Sequence, residues 1–358
     1  MIEDRYYEKI VPVGPDIDIE KEAAIIRGKN KNPMFSMLKT MNFVFGMIID
    51  STGDVFEACK GMDLIVVSHA QMGATEAEVL GIPTVNVTIQ PEMIPEKLKK
   101  QTIINKVIGR FIAGQIARPY NKIRKKYKLK PAKDLGDIMS SNYDLIPISQ
   151  HAKDRNPYWE PHHVFIGFWY QEEKDYQPDE ELDNFLKGGD KPILLALGAM
   201  SFEDKAEVHK LDMFVKAFEK TGYRAIVQGF QKSLQEYKLP DSTIAVGSVP
   251  HSYLFDKCKM VIHHCGFGTS AATLIYGIPS IPVPHVLDQK GQSDMLIKLG
   301  VASDEINGHN VTEDKIISCI KDMEMHYEER YQRAKLISER IKDENGLEVT
   351  VRYISEII

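Results

Sequence analysis

The chain has 358 residues, 43% hydrophobic and 27% charged with a net charge of -6, the balance of a folded globular protein rather than a disordered one. No apolar run approaches the ~20 residues of a transmembrane helix, and Met1 to Arg5 lacks the basic-then-apolar start of a signal peptide. Cys59, Cys258, Cys265 and Cys319 show no C-x-x-C spacing, which suggests neither a disulfide framework nor a zinc site and fits a reducing cytoplasm.

In chain order, Leu64–Ser68 and Thr84–Val87 read as strands, with a helix from Gly73 to Leu80 between them that stops at Gly81-Ile82-Pro83. From Lys97 to Lys133 there are thirteen Lys and Arg and no Asp or Glu, so a basic element sits on an otherwise acidic body. Ile103, Ile104, Val107, Ile108, Phe111 and Ile112 add an apolar face to it. That pattern fits a domain helix with a solvated basic side, or a peripheral helix on an anionic lipid surface. Nucleic-acid binding is excluded by the overall charge and the lack of interleaved aromatics.

Residues 171–190 are rich in Asp, Glu, Gly and Pro and read as a linker between a domain at 1–170 and another at 191–340, with a short helix at Leu182–Leu186 as an alternative within it. Ile193–Leu197 reads as a buried strand ending at Gly198, and Val208, Leu211, Phe214, Val215 and Phe218 lie at helical spacing before Gly222. Strands follow at Arg224–Val227 and Thr243–Val246, with a short helix from Ser252. Strand Met260–His263 leads to a helix over Thr269–Tyr276, and strand Ser280–Val283 leads to one over Gly291–Leu299. The tail is helical from Tyr327, and 341–358 is expected to return to the first domain. Strands alternating with helices of this length predict a doubly wound parallel sheet.

The chemistry concentrates at His263-His264-Cys265-Gly266-Phe267-Gly268-Thr269. Gly266 and Gly268 let backbone approach an anion, and a helix N-terminus offers free N–H groups and the positive end of its dipole. His264 and the Thr269 hydroxyl add donors, although the same residues could simply make a tight turn with Thr269 as N-cap. The next strand ends at Pro284-His285-Val286-Leu287-Asp288-Gln289, on the same carboxyl edge of the sheet, where open α/β folds bind ligands. Asp288 and Gln289 together offer acceptors and donors suited to a ring of hydroxyls, with a helix N-cap as the alternative for Asp288.

The run from His263 to Gln289 resembles the donor signature of the UDP-glycosyltransferases, with sterol and antibiotic-aglycone glucosyltransferases as the nearest branch. Gly247–Phe255, Ile166–Trp169, Leu197–Ser201, Ala74–Pro83 and Asn121–Pro131 also resemble family segments, so the likeness covers nearly the whole chain. It implies an α/β GT-B fold, two Rossmann-like domains facing each other. It further implies inverting, metal-independent transfer of a hexose from a UDP-sugar, UDP-glucose above all, to a hydroxyl of a lipophilic acceptor such as a sterol, lipid or natural-product aglycone. No cofactor and no metal are implied.

Carried over by position, His264, Gly266, Gly268, Thr269 and Ser201 hold the diphosphate, Asp288 and Gln289 bind sugar hydroxyls, and Val249 and His251 flank the nucleobase. Cys265 stands where the family has Gly, Ala199 where it has Ser, and Ser248 where plant relatives stack a Trp. The family's catalytic base lies in a first βα loop that has no counterpart here. Tyr6–Val13 resembles the family's third strand, so the N-terminal domain reads as incomplete, and no catalytic residue is assigned. His69, at the end of a strand, is a weak candidate with no orienting partner in view. Two functions follow: a transferase, or a catalytically incompetent donor-binding fragment or subunit that needs a complementing N-terminal polypeptide.

Overall fold

A computed structural model describes residues 10–18, 33–68, 70–100, 102–139, 142–171, 175–198, 204–235 and 237–358. These fall into two compact units. Unit 1 takes residues up to Ile146, Asn156–Phe165 and Thr350–Ile358, and unit 2 takes Pro147–Arg155 and Ile166–Val349.

Unit 1 opens with the long helix α1 (Pro33–Cys59), followed by β1 (Ile65–Ser68), α2 (Ala74–Leu80), β2 (Thr84–Val87) and α3 (Ile103–Lys126). Strands β3 (Tyr143–Ile146) and β4 (His163–Phe165) complete a four-stranded parallel sheet in the order β1-β2-β3-β4. Of the N-terminal strand expected at Tyr6–Val13, residues 10–13 carry no strand, and the rest lies outside the described residues. His69 also lies outside them.

Helix α3 is basic, as its sequence dictates, but its packed face is specific. Ala117, Tyr120, Ile123 and Arg124 are buried, spaced as one helical face requires. The Arg124 guanidinium forks onto Glu78 (2.5 and 3.1 Å) and donates through Nε to the Lys130 carbonyl (2.7 Å), which ties α3 to α2. Tyr120 meets Phe45 edge-on, and Tyr127 stacks on Phe56, fixing α3 against α1.

The centre of this sheet holds a polar ladder. Asn86, Asp144 and His163 are register partners on three adjacent strands. Asp144 is fully buried and accepts from Asn86 Nδ2 (2.5 Å), Thr88 Oγ1 (2.6 Å) and His163 Nδ1 (2.8 Å). Gln71 Nε2 extends the chain onto Asn86 Oδ1 (2.7 Å). Such groups are tolerated in a core only when each finds a partner, because an unpaired one bears its full desolvation cost.

Unit 2 contains α4 (Glu180–Lys187), β5 (Ile193–Ala196), α5 (Asp204–Thr221), β6 (Ala225–Gln228), β7 (Thr243–Val246) and the single turn α6 (His251–Leu254). It continues through β8 (Met260–His263), α7 (Phe267–Tyr276), β9 (Ser280–Pro282), α8 (Leu287–Lys298), α9 (Glu313–Met325), α10 (Tyr327–Asp343) and α11 (Gly346–Ser355), whose last residues belong to unit 1. The five strands are parallel in the order β7-β6-β5-β8-β9, so β5 is central and the chain reverses direction between β5 and β8.

The strands are short continuous apolar runs because helices cover both faces of this sheet. Leu211, Phe214 and Phe218 of α5 are fully buried against Leu195, Val227 and Ile262. The segment expected as a linker holds α4, capped by the Asp179 carboxylate on the Leu182 N–H (2.8 Å), with Leu182 buried in unit 2. On the other side α10 caps α7: Ser338 Oγ donates to the Ile275 carbonyl (2.5 Å) and Lys335 to the Tyr276 carbonyl (3.1 Å).

The polar ladder makes unit 1 vulnerable at one residue. Asp144→Leu removes the acceptor shared by three buried donors and should cost about 3–5 kcal/mol. In scanning calorimetry the transition of unit 1 is expected to fall by roughly 10 °C while that of unit 2 stays in place. An unmoved first transition would refute a stabilising ladder.

Candidate functional site

The carboxyl ends of β5, β8 and β9 carry the residues singled out by the sequence. Strand β8 ends at His263, which is fully buried, and the chain turns through His264, Cys265 and Gly266 into α7. Helix α7 begins at Phe267, two residues earlier than the sequence suggests, so Gly266 occupies the N-cap and Thr269 lies within the first turn. Thr269 is therefore not the cap. The first intrahelical bond runs from the Ser270 N–H to the Gly266 carbonyl (2.9 Å). The amides of Phe267, Gly268 and Thr269 precede it and face out of the helix N-terminus, a ready anion site.

His264 is half-buried in front of this end. Its Nδ1 donates to the Ala196 carbonyl at the end of β5 (3.3 Å), which sets the neutral tautomer and leaves Nε2 with its lone pair. Two glycines make room for the ring. A Cβ at 266 would lie 2.5 Å from Nε2, and one at 198 would lie 2.9 Å from Cε1. The imidazole is thus wedged between two backbone turns that no side chain could share.

Burial lowers the pKa of His264, while its bond to Ala196 and the Asp288 carboxylate pull the other way. Asp288 is exposed in the first turn of α8, close enough for its charge to be felt at His264. Helix α8 starts at Leu287 with Val286 as N-cap, so Asp288 is not the cap either. Gln289 is buried, and its Oε1 accepts from the His285 N–H (2.7 Å), which leaves the amide Nε2 as the group it can offer a ligand.

Cys265 takes a left-handed backbone (φ 60) where a glycine would sit without strain. Its N–H donates to His263 Nδ1 (3.2 Å), and its buried thiol is pushed up to about 12, so it stays protonated. Its side chain points into the core, not into the anion site.

Also next to α7, His251 stacks on Phe255 with ring centroids 4.7 Å apart. The Val249 carbonyl accepts from Gln228 Nε2 (2.9 Å), as does the Gly247 carbonyl (3.2 Å), so Gln228 at the end of β6 shapes the turn that leads to His251. A pocket of about 260 Å³ is lined by His251, Gly268, Phe267, Tyr276, Trp169 and Tyr170 among others. It brings together one residue expected at the nucleobase, His251, and one expected at the diphosphate, Gly268. Ser248 is exposed and supplies no ring. Ala199 and Ser201 lie outside the described residues.

This parallel sheet, with an open helix start at its switch point, has the architecture of a Rossmann-like unit. Residues 225–355 match the model of the erythromycin biosynthesis protein CIII-like C-terminal domain. The chain is 29% identical over 239 residues to the sterol 3-beta-glucosyltransferase UGT80A2 of Arabidopsis thaliana, covering 64% of this chain and 36% of that protein. It is 27% identical over 352 residues to a sterol 3-beta-glucosyltransferase of Debaryomyces hansenii, covering 87% of this chain and 22% of the other. The chain therefore spans about a third or less of the length of these relatives.

Among solved structures it is similar to the glycotransferase of kitacinnamycin (TM-score 0.71, 15% identity, covering 90% of this chain and 83% of the other). It is also similar to the glycosyltransferase VinC in complex with dTDP (TM-score 0.69, 17% identity, 97% and 87% covered). The chain thus has the GT-B fold of these glycosyltransferases, and its sequence is similar to that of sterol 3-beta-glucosyltransferases.

Burial in this site has a pH consequence. His263 is driven down to about 3 and His285 to about 4, burial being the main cause for each. Both are neutral when folded and bind protons near pH 6.5 when unfolded. Their contribution is present in full above pH ~6.5 and is lost as the pH falls toward 4, by up to about 1.4 kcal/mol per pH unit for each histidine. The melting temperature of unit 2 is expected to drop over that window. His263→Asn keeps an acceptor for the Cys265 N–H, and its unfolding should take up about one proton fewer between pH 4 and 6; an identical pH slope would refute the assignment.

Proposed function

We propose that unit 2 binds a nucleoside-diphosphate sugar, UDP-glucose in the first instance, and that the protein transfers the hexose with inversion to a hydroxyl of a lipophilic acceptor such as a sterol or natural-product aglycone. The reading is carried by one juxtaposition: the open N-terminus of α7, His264 and Asp288 meet at a single switch point, beside a pocket that also contains His251. The diphosphate sits on the amides of Phe267, Gly268 and Thr269, where the helix dipole favours negative charge. Asp288 accepts from sugar hydroxyls, and Gln289 donates to them. The base lies toward His251, with Trp169 and Tyr170 offering the aromatic surface that Ser248 does not.

In transfer, negative charge develops on the diphosphate as the anomeric bond breaks. The amides at the α7 start and the His264 ring stabilise it without reorganising, because their positions are already set. Since His264 Nδ1 donates to Ala196, the ring can give a second hydrogen bond to a phosphate only by taking up a proton on Nε2. Diphosphate binding is thus coupled to protonation. The relatives named as sterol glucosyltransferases support a lipid acceptor, and the helix α3 supports peripheral contact with anionic lipid, since Phe111 and Ile112 are exposed beside Arg110 and Arg118.

Isothermal calorimetry with UDP tests the reading, with TDP as competitor to rank the nucleotides. Binding should strengthen as the pH falls from 8 to 6, and its heat should vary with buffer ionisation, reporting proton uptake of up to one. His264→Ala and Gly266→Ala, whose methyl would displace the ring, should each weaken binding at least tenfold and remove the proton uptake. No UDP binding to the unaltered chain, or unchanged binding in both variants, sinks the proposal. Glucose transfer from UDP-glucose to a sterol, assayed with the chain alone and with an added N-terminal polypeptide, separates a self-sufficient transferase from a donor-binding subunit.

A further inference from the structure

Behind the start of α8, which carries Asp288 and Gln289, lies a cluster built around Lys210, a residue outside the motifs read from the sequence. Lys210 on α5 is 9% exposed, and its ammonium donates to the Gly308 carbonyl (2.7 Å) and to His285 Nε2 (3.0 Å). Glu207, one turn away on α5, accepts from Ser233 Oγ (2.8 Å). His285 is held at every polar position of its backbone as well. Its N–H donates to Gln289 Oε1 (2.7 Å), and its carbonyl accepts from His309 Nε2 (2.5 Å). The ring packs so closely on Gly308 that a Cβ there would lie 2.5 Å from its Cδ2. His285 is therefore a clamp point three residues before Asp288, with Lys210 holding its ring.

We propose that Lys210 is a positioning residue: acting through His285, it sets the turn at 284–286 and the first turn of α8 so that Asp288 and the Gln289 amide meet the donor sugar, and so governs recognition of the sugar rather than of the nucleotide. This rests on the reading of unit 2 as a nucleotide-sugar site. A lysine suits the task because a short cationic donor reaches a carbonyl and a ring nitrogen at once, tying α5, the 308 turn and the sugar loop to one atom. The diphosphate cradle at α7 is fixed by other groups, Ala196 and the glycines at 198 and 266, so the two halves of the donor site have separate supports.

The experiment measures dissociation constants for UDP and for UDP-glucose by calorimetry on the full chain, in the unaltered protein and in Lys210→Met, Lys210→Arg and Gly308→Ala. For Lys210→Met the affinity for UDP should stay within about twofold while the UDP-glucose to UDP ratio of dissociation constants rises about tenfold. Gly308→Ala, whose methyl would lie 2.5 Å from His285 Cδ2 and displace the ring without altering the lysine itself, should give the same signature. Lys210→Arg should restore the ratio at least in part. An unchanged ratio in both Lys210→Met and Gly308→Ala, with UDP still bound, overturns the positioning role alone. Equal loss of both ligands, or a fall in melting temperature with the ratio unmoved, shows a merely structural lysine and overturns it too. No UDP binding to the unaltered protein overturns the nucleotide-sugar reading and this inference with it.

Discussion

The site in unit 2 depends on one steric condition: the imidazole of His264 fits because residues 198 and 266 have no side chains. Gly198 ends the central strand β5 and Gly266 caps α7, so the ring sits across the point where the sheet changes direction. Everything nearby follows from that placement. The Nδ1 bond to Ala196 sets which nitrogen can meet an anion, the open amides of α7 lie beside that nitrogen, and Asp288 approaches from the next strand's loop. A single methyl group at either glycine would dissolve the arrangement without touching the hydrophobic core beneath it.

The two units are stabilised on different terms. Unit 2 packs α5 against a cluster of apolar side chains from its sheet, a contact that is non-directional and tolerant of small shifts. Unit 1 instead carries Asn86, Asp144 and His163 through the middle of its sheet, where each partner must be kept in register to offset its own desolvation. Hydrogen-bonded ladders of that kind specify geometry more sharply than apolar contact does.

The same difference explains what could be read from the sequence. The strands of unit 2 are visible because Ile193–Ala196 and Met260–His263 are continuous apolar runs, and Thr243–Val246 matches its expected bounds residue for residue. Strands β3 and β4 are hidden because Asp144 and His163 interrupt the apolar pattern in just those positions. Helix α1 is masked by Gly46, Gly53 and a long apolar stretch with little periodicity. Helix α9 carries a local signal in Thr312, which caps it by accepting from the Lys315 N–H. At the site, His264, Gly266 and Gly268 are legible because they are adjacent in the chain. Lys210 is not, because it meets His285 across 75 residues, and only the folded sheet brings them together. The switch of Gln289 Oε1 from ligand to loop is equally invisible, since nothing in its side chain announces which function the backbone will claim.

The cysteines carry a consequence of their own. Cys59 lies in unit 1 and Cys258, Cys265 and Cys319 in unit 2, all buried, with burial raising each thiol above its usual range. A reagent that needs an exposed thiolate has nothing to attack among them in the native protein. The chain thus comes with built-in clocks for opening, one thiol timing the first unit and three the second, and the rate at which each is alkylated reports how often its surroundings come apart.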